Sequence, residues 1–166
     1  MKKSDVDYLY EWASRTDFPL RRAPTAVGYS NKDIYFCWLK AIYRNGSIGG
    51  VRKSVVEDEK AQQILDQEEV IFATISVFDA GTKLNPHRDP PVYGRKYRRV
   101  QIPLYIPSDK CYMVWKGKKV FWKEGEPQVY DVMDHIHEGY NLSDDIMMFL
   151  FVDIEKRDDN SNLQEV

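Results

Sequence analysis

Cysteine, histidine and long apolar runs are all scarce in this chain of 166 residues. Its two cysteines, Cys37 and Cys111, lack the Cys-x-x-Cys spacing of a redox or zinc motif, which favours two ordinary intracellular thiols over a disulfide. No stretch approaches the roughly 18 apolar residues of a membrane-spanning helix, so no membrane partner is expected. No apolar segment follows the charged start of the chain, and a signal peptide is therefore not expected either. These absences predict a cytoplasmic protein.

An excess of charge of one sign is also absent. The chain has 24 lysine and arginine residues and 26 aspartate and glutamate residues, for a net charge of −2. Domains that bind nucleic acids are usually basic, so no nucleic-acid partner is expected. With 43% hydrophobic residues the chain is long enough for one well-buried domain and short for two. We expect a single domain over residues 1–166, with a helical part at 1–68, a β core at 69–155 and a polar tail at 156–166.

The first 68 residues have patterns that are typical of helices. Ser4 is expected to cap a first helix that ends near Ser14. A third helix is predicted from Val56 to Gln67, where a narrow apolar stripe faces a polar side. Between them, a second helix is predicted from 31 to about 45, because apolar residues recur there at helical spacing. Those residues are Ile34, Cys37, Trp38 and Ile42.

Beyond residue 68 the pattern changes to the alternation of β-strands. The segment from Val70 to Phe78 has aliphatic residues at odd positions and Ser76 among the even ones, and the segment from Arg99 to Ile106 alternates in the same way. Ser76 and Arg99 therefore lie on the more polar faces of their strands. Further short strands are predicted at 111–115, 119–122, 128–132 and 146–154. Short strands separated by turns, without helices between them, predict an antiparallel sandwich or barrel.

All three histidines lie in two places, His87 in the motif His87-Arg88-Asp89 and the other two at His135 and His137. Two imidazoles and one carboxylate that face one point form the triad that holds a non-haem Fe(II) ion and leaves positions open for substrate and dioxygen. Because His135 and His137 are two residues apart, both would face the same side of a strand. The residues alone therefore predict a metal site and leave both histidines as candidates for its third ligand.

The segment from Ser76 to Asp153 resembles the aspartyl/asparaginyl β-hydroxylase family of 2-oxoglutarate oxygenases. Five patches match the family's motifs in the family's order: Ser76–Thr82 with Pro86–Asp89, Arg99–Leu104, Trp122–Glu126, Tyr130–Asp131 with His137–Asn141, and Val152–Ile154. The resemblance implies a mainly β fold, the jelly-roll or cupin-like double-stranded β-helix, with the N-terminal helices packed against it.

The same resemblance implies a catalytic site and an activity. His87, Asp89 and His137 would bind Fe(II), and Ser76 and Arg99 would hold the carboxylate oxygens of 2-oxoglutarate. Gln101, which stands where the family has a histidine, would also orient this co-substrate. The implied activity is a dioxygen-dependent hydroxylase that acts on an amino-acid-like or peptide side-chain substrate. The sequence Glu138-Gly139-Tyr140-Asn141, which follows His137, favours His137 over His135 as the distal ligand.

One departure from the family's pattern affects the expected co-substrate. Met147 stands where the family has the arginine that binds the far carboxylate of 2-oxoglutarate, and its neighbours are apolar. Either Arg98, Lys83 or Lys119 reaches the pocket instead, or the co-substrate differs. Two alternatives to the hydroxylase therefore stay open: a cupin-like iron protein that does not use 2-oxoglutarate, and a non-catalytic binding protein of the same fold.

Overall fold

The computed structural model describes residues 1–23, 29–40, 42–45, 48–51, 54, 56–92 and 94–156. They form two helices, α1 (Lys3–Ala13) and α2 (Glu59–Leu65). The strands before α2 are β1 (Arg21–Ala23), β2 (Ile34–Lys40), β3 (Ile42–Asn45) and β4 (Ile48–Val51). The strands after it are β5 (Val70–Phe78), β6 (Lys83–His87), β7 (Tyr97–Tyr105), β8 (Cys111–Trp115), β9 (Lys118–Phe121), β10 (Gln128–Tyr130), β11 (His137–Asn141) and β12 (Met147–Glu155).

The strands form two main antiparallel sheets. The larger has six strands in the order β1-β2-β5-β12-β7-β10, and the smaller has four in the order β6-β11-β8-β9. A separate hairpin pairs β3 with β4. This mainly β architecture, with neighbours in sequence often placed in different sheets, confirms the predicted jelly-roll or cupin-like fold. Neither of the two helices that the described residues form has the length or the apolar character needed to cross a bilayer.

The larger sheet packs one face against the two helices, as predicted. Alternate residues of its central strands meet the apolar sides of α1 and α2 in one core, whose members include Leu9, Leu65, Ile75, Ile102, Leu150 and Val152. Each such side chain contributes roughly 1.5–3 kcal/mol when it is fully buried. The core therefore accounts for the attachment of the helices to the outer face of the sheet. The other face of the sheet is turned towards the smaller sheet.

Polar contacts fix the short helix α2 at both ends. The side chain of Asp58, its N-cap, accepts a hydrogen bond from the amide of Ala61 at 2.7 Å and another from the hydroxyl of Tyr8 on α1 at 2.9 Å. At the other end, the ammonium group of the buried Lys40 donates to the carbonyl oxygen of Leu65 at 2.6 Å. Because a helix this short is marginal by itself, these contacts and the core together stabilise it.

Three expectations about the N-terminal part need correction. The helix predicted from 31 to about 45 is wrong, because β2 and β3 occupy that segment. The first helix begins after Lys2 and not at Ser4, and the third is shorter than predicted and lies at 59–65. β2 is apolar on both sides: Ile34, Phe36 and Trp38 face the smaller sheet's side, and Tyr35, Cys37 and Leu39 belong to the core. Residues 157–166 of the expected polar tail lie outside the described residues.

Candidate metal centre

Strand pairing brings His87 and His137 together. His87 ends β6, His137 begins β11, and the two are direct partners in the register of these antiparallel strands. Their ring centroids are 4.3 Å apart. Asp89 follows two residues after the end of β6, and its backbone amide donates to the carbonyl of Val132 at 3.0 Å. One side-chain ligand atom from each of His87, Asp89 and His137 lies within 4.8 Å of the other two.

The two imidazole rings are oriented by the backbone. Nδ1 of His87 lies 2.6 Å from the carbonyl oxygen of Asn85, and Nδ1 of His137 lies 3.3 Å from that of His135. A ring that donates from Nδ1 keeps the electron pair of Nε2 free, and metal-binding histidines commonly use this arrangement. Both Nε2 atoms point to the same carboxylate oxygen, Oδ1 of Asp89, at 3.4 Å for His87 and 3.8 Å for His137.

The two oxygens of Asp89 have separate surroundings. Oδ1 faces the imidazoles, while Oδ2 accepts hydrogen bonds from Nη1 of Arg99 at 2.6 Å and from the hydroxyl of Tyr97 at 3.4 Å. Burial raises the pKa of the carboxyl group, but the charge of Arg99 and the hydrogen bond to His87 outweigh it and hold that pKa well below its usual range. Asp89 is therefore an ionised carboxylate with one oxygen turned towards the histidines.

The two histidines differ in the direction of their pKa shifts. Burial lowers the pKa of His137 more than the charge of Asp89 raises it, so this ring is neutral at neutral pH. Burial also lowers the pKa of His87, but its hydrogen bonds to Asp89 and to the carbonyl of Asn85 raise it by more. Neutral imidazole is the form that binds a metal. A cation placed between the rings and Asp89 would favour that form of both rings.

Arg99 connects this cluster to the larger sheet. It lies directly opposite Asp153 in the pairing of β7 with β12. Its Nε and Nη2 donate to the two oxygens of Asp153 at 2.8 and 2.9 Å, a two-pronged ion pair. The charges of Asp153 and Asp89 outweigh burial and raise the pKa of Arg99 well above its usual value, so the guanidinium is always charged. The guanidinium is thus already paired with two carboxylates of the protein itself.

A cavity of about 560 Å³ lies between the two sheets and contains the cluster. Ser76 and Gln101 line it, as do Arg99 and the three clustered residues. Its walls are mainly apolar and aromatic, with Phe72, Phe78, Met113, Trp122, Met147, Phe149 and Phe151 among them. Trp38, which stacks on Phe36 with ring centroids 5.2 Å apart, is 50% exposed and marks an open side of the cavity.

Several residues considered from the sequence lie elsewhere. His135 is outside the cluster and packs edge-on against Trp115 with ring centroids 5.3 Å apart. Of the described residues that line the cavity, Arg99 is the only lysine or arginine, so Lys83, Arg98 and Lys119 do not reach it. Lys119 instead lies over the ring of Tyr112, 4.2 Å from its centroid. Among the residues that the structure describes, the wall at Met147 is therefore apolar and has no basic group.

Sequence reasoning missed Asp153 and Tyr97 as parts of this site. Asp153 is fully buried and lies on the cavity-facing side of β12, the side that also carries Met147, Phe149 and Phe151. A single acid on the aromatic face of an apolar strand is a usable signal, because a buried carboxylate requires a partner. The sequence does not say that the partner is Arg99, since the pairing of β7 with β12 is needed to bring them together.

Two antiparallel sheets that enclose a His-Asp-His cluster define a cupin-like protein with a candidate mononuclear metal site. The sequence model of the aspartyl/asparaginyl beta-hydroxylase family matches residues 44–157, well over half of the chain. The chain belongs to this family, as its motifs predicted. A search of the curated proteins found no match.

Solved structures of low sequence identity share the fold. A 2OG-Fe(II) oxygenase family oxidoreductase from Burkholderia pseudomallei is 11% identical with a TM-score of 0.60, covering 93% of this chain and 91% of its own. A predicted oxalate decarboxylase from Thermotoga maritima is 12% identical with a TM-score of 0.52, and the match covers 84% of this chain and 95% of the other. A cupin-2 domain protein from Rhodospirillum rubrum is 8% identical with a TM-score of 0.52, and the match covers 87% of this chain and 76% of the other. At such identities the likeness establishes the fold alone.

Proposed function

We propose that the protein is an Fe(II)-dependent oxygenase whose metal ion is bound by His87, Asp89 and His137. The observation that carries this proposal is the convergence of the two Nε2 atoms of His87 and His137 on one carboxylate oxygen of Asp89. The second polar atom of each of these side chains, Nδ1 or Oδ2, already makes a hydrogen bond within the protein. Two imidazoles and one carboxylate suit ferrous iron, and an ion held by these three protein ligands would have open positions for dioxygen and substrate. Membership of a β-hydroxylase family supports the same assignment.

The other residues of the site would position the reactants. Arg99 fixes Oδ2 of Asp89 and so leaves Oδ1 as the single oxygen for the metal. The aromatic walls exclude water and hold the substrate beside the metal, which is the protein's main contribution when a bound ion supplies the redox chemistry. Partners of this kind are small molecules or exposed peptide side chains that can enter a cavity of this size.

The co-substrate implied by the family, 2-oxoglutarate, does not fit the residues that line the cavity. It carries two carboxylates, and even with one of them on the metal the other would need a cationic partner. Arg99, the one lysine or arginine among the described lining residues, is already paired with Asp153 and Asp89. Met147 supplies no charge at the far wall. A carboxylate moved from water to such a wall without a partner is strongly disfavoured. Of the two enzymatic candidates, the 2-oxoglutarate-dependent hydroxylase and an iron protein of the same fold that does not use 2-oxoglutarate, this observation favours the latter.

Metal binding by the purified protein tests the proposal. Anaerobic titration with Fe(II), or with Mn(II) as a redox-stable substitute, is expected to give one ion per chain and to raise the melting temperature, because a ligand that binds only the folded state stabilises it. An unchanged melting temperature, together with no bound metal, would instead support the non-catalytic binding protein. Conversion of 2-oxoglutarate to succinate, measured with and without iron, separates the two enzymatic candidates.

A further inference from the structure

The cavity-facing side chains of the larger sheet form rows across its central strands. The first row contains Phe72, Asp153 and Arg99, and the second contains Trp38, Thr74, Phe151 and Gln101. The third contains Phe36, Ser76 and Phe149, and the fourth contains Ile34, Phe78 and Met147. Charged groups occur in the first row only. The next rows offer neutral polar groups among aromatic rings, and the last row is wholly apolar.

The charges of the first row are already balanced within the protein. Asp153 takes two hydrogen bonds from Arg99, and the remaining side of the guanidinium holds Asp89. An anionic ligand that approached Arg99 would also approach the carboxylates of Asp153 and Asp89, which already take three of its five N–H groups. A ligand that displaced one of these carboxylates would leave it buried and unpaired, which is strongly unfavourable. Arg99 is therefore a positioning residue for Asp89.

Two neutral polar side chains of the middle rows remain available to a ligand. Gln101 and Ser76 are each only 6% exposed and line the cavity, and neither makes a side-chain hydrogen bond to any other described residue. Thr74 differs from them, because its hydroxyl is bonded to the carbonyls of Cys37 and Ile75 at 3.1 and 3.0 Å. Buried polar groups are normally hydrogen-bonded, so Gln101 and Ser76 favour a ligand with a neutral donor and acceptor.

Aromatic side chains surround these two groups. Phe149 stacks on Phe151 with ring centroids 5.5 Å apart, and Trp122 meets Phe149 edge-on at 4.8 Å. Phe78 also meets Phe149 edge-on, at 6.0 Å. A planar or aliphatic apolar group fits such a surface, since its burial and its ring contacts are both favourable. The cavity volume of about 560 Å³ lies within the range of small-molecule sites.

We propose that this cavity binds a neutral, largely apolar small molecule, whose amide- or alcohol-like group meets Gln101 and Ser76, and that it does not bind 2-oxoglutarate. The assignment rests on the proposed function in one respect, since the iron bound by His87, Asp89 and His137 would lie beside the bound molecule. It names the substrate class of that site, and it departs from the amino-acid-like substrate and the co-substrate that the family resemblance implies.

Calorimetric titration of the full-length protein tests this assignment with two probes, benzamide as a neutral aromatic amide and 2-oxoglutarate, each with and without Mn(II). Benzamide is expected to bind in both conditions, and 2-oxoglutarate is expected to give no heat of binding at millimolar concentration. Gln101→Met keeps the side-chain volume, removes the amide, and should weaken benzamide binding about 5- to 10-fold, the loss expected for one hydrogen bond. Gln63→Met, an exposed position on α2, should change nothing.

Each remaining outcome bears on one of the two proposals. Binding of 2-oxoglutarate to the Mn(II)-loaded protein, or its conversion to succinate with Fe(II), overturns the substrate assignment and leaves the iron site standing. No Mn(II) binding, with benzamide still bound in a Gln101-dependent way, overturns the iron site and leaves the substrate assignment standing. If Gln101→Met does not fold, as judged by its melting curve, Ser76→Ala replaces it. Benzamide affinity that is unchanged in the folded variant overturns the assignment.

Discussion

Arg99 and Asp153 face each other across β7 and β12 and share two hydrogen bonds of 2.8 and 2.9 Å. The same guanidinium reaches Oδ2 of Asp89, which follows a strand of the other sheet. One arginine therefore connects the centre of the larger sheet to the carboxylate of the candidate metal centre. The stability of the fold and the geometry of the site depend on the same ion pair.

Asp153→Asn tests this dependence. The change keeps the shape of the side chain but leaves the charge of Arg99 with a single carboxylate partner, so we expect a loss of about 3 kcal/mol in the free energy of unfolding. Urea denaturation measures it. Mn(II) affinity should also fall, by roughly 10- to 100-fold, because an Arg99 that has lost its ion pair with Asp153 holds Asp89 in place less firmly. The control is Asp134→Asn at a half-exposed pair with Lys156, which should cost less than about 1 kcal/mol. Equal effects of the two changes would contradict the role of Asp153.

Substitution of the three clustered residues tests the metal site. His87→Ala, Asp89→Ala and His137→Ala should each reduce Mn(II) affinity by more than the roughly 10- to 100-fold that loss of an outer partner causes. His135→Ala is the matched control, because its carbonyl, which orients His137, is kept. Calorimetric titration measures all four variants. Retained affinity in His137→Ala together with lost affinity in His135→Ala would show that the distal ligand is wrongly assigned.

The N-cap of α2 gives a pH-dependent prediction. The hydrogen bond from the amide of Ala61 lowers the pKa of Asp58, burial opposes it, and the hydroxyl of Tyr8 lowers it further. Since the pKa is lower in the folded state, this contribution is complete above the unfolded value of about 4 and is lost as the pH falls through the folded value. Asp58→Ala should therefore cost about 1 kcal/mol at pH 7. The difference between wild type and variant in urea denaturation should shrink below about pH 4. A constant difference down to pH 3 would refute the explanation.

Gly125 lies in the turn after β9, close to Tyr10 of α1, and Gly117 is a matched control without such a contact. Both have positive φ, 72° and 77°, so an alanine at either position costs about 1 kcal/mol in backbone strain. A Cβ at Gly125 would also lie 3.1 Å from the ring of Tyr10, whereas a Cβ at Gly117 would meet nothing within 4 Å. Gly125→Ala should therefore lower the melting temperature further than Gly117→Ala, by about 2–4 °C for each additional kcal/mol. Equal melting temperatures would mean that Tyr10 moves without cost.

The sequence predicted most of the larger sheet, and it singled out the three residues that the structure brings together in the His-Asp-His cluster. Val70 and Phe78 bound β5 as predicted, because alternation is a strong signal where one face is aliphatic. The prediction failed at β2, where Phe36 and Trp38 face an aromatic cavity and Leu39 faces the core. A strand that is apolar on both faces loses its period of two, so its residues fitted helical spacing equally well.

The partner of Arg99 could not be predicted for a different reason. Local patterns place Arg99 on the polar face of its strand, but only the order of strands in the sheet places Asp153 opposite it. The expectation that Arg99 binds 2-oxoglutarate came from the resemblance to the family. In that family a second arginine binds the far carboxylate of the same co-substrate. The residue at that second position, Met147, already differs in the sequence, and it therefore marked the part of the site where the resemblance was weakest.

The alternation along β5, β7 and β12 has a consequence for how this protein can change. Even-numbered residues of β5, such as Ser76, line the cavity, while odd-numbered ones, such as Ile75, pack against the helices. Libraries that vary only cavity-lining positions therefore leave the helix-packed side of the sheet intact. Laboratory selection could alter ligand preference at the cavity-facing positions of each strand while the alternate, helix-facing positions maintain the fold.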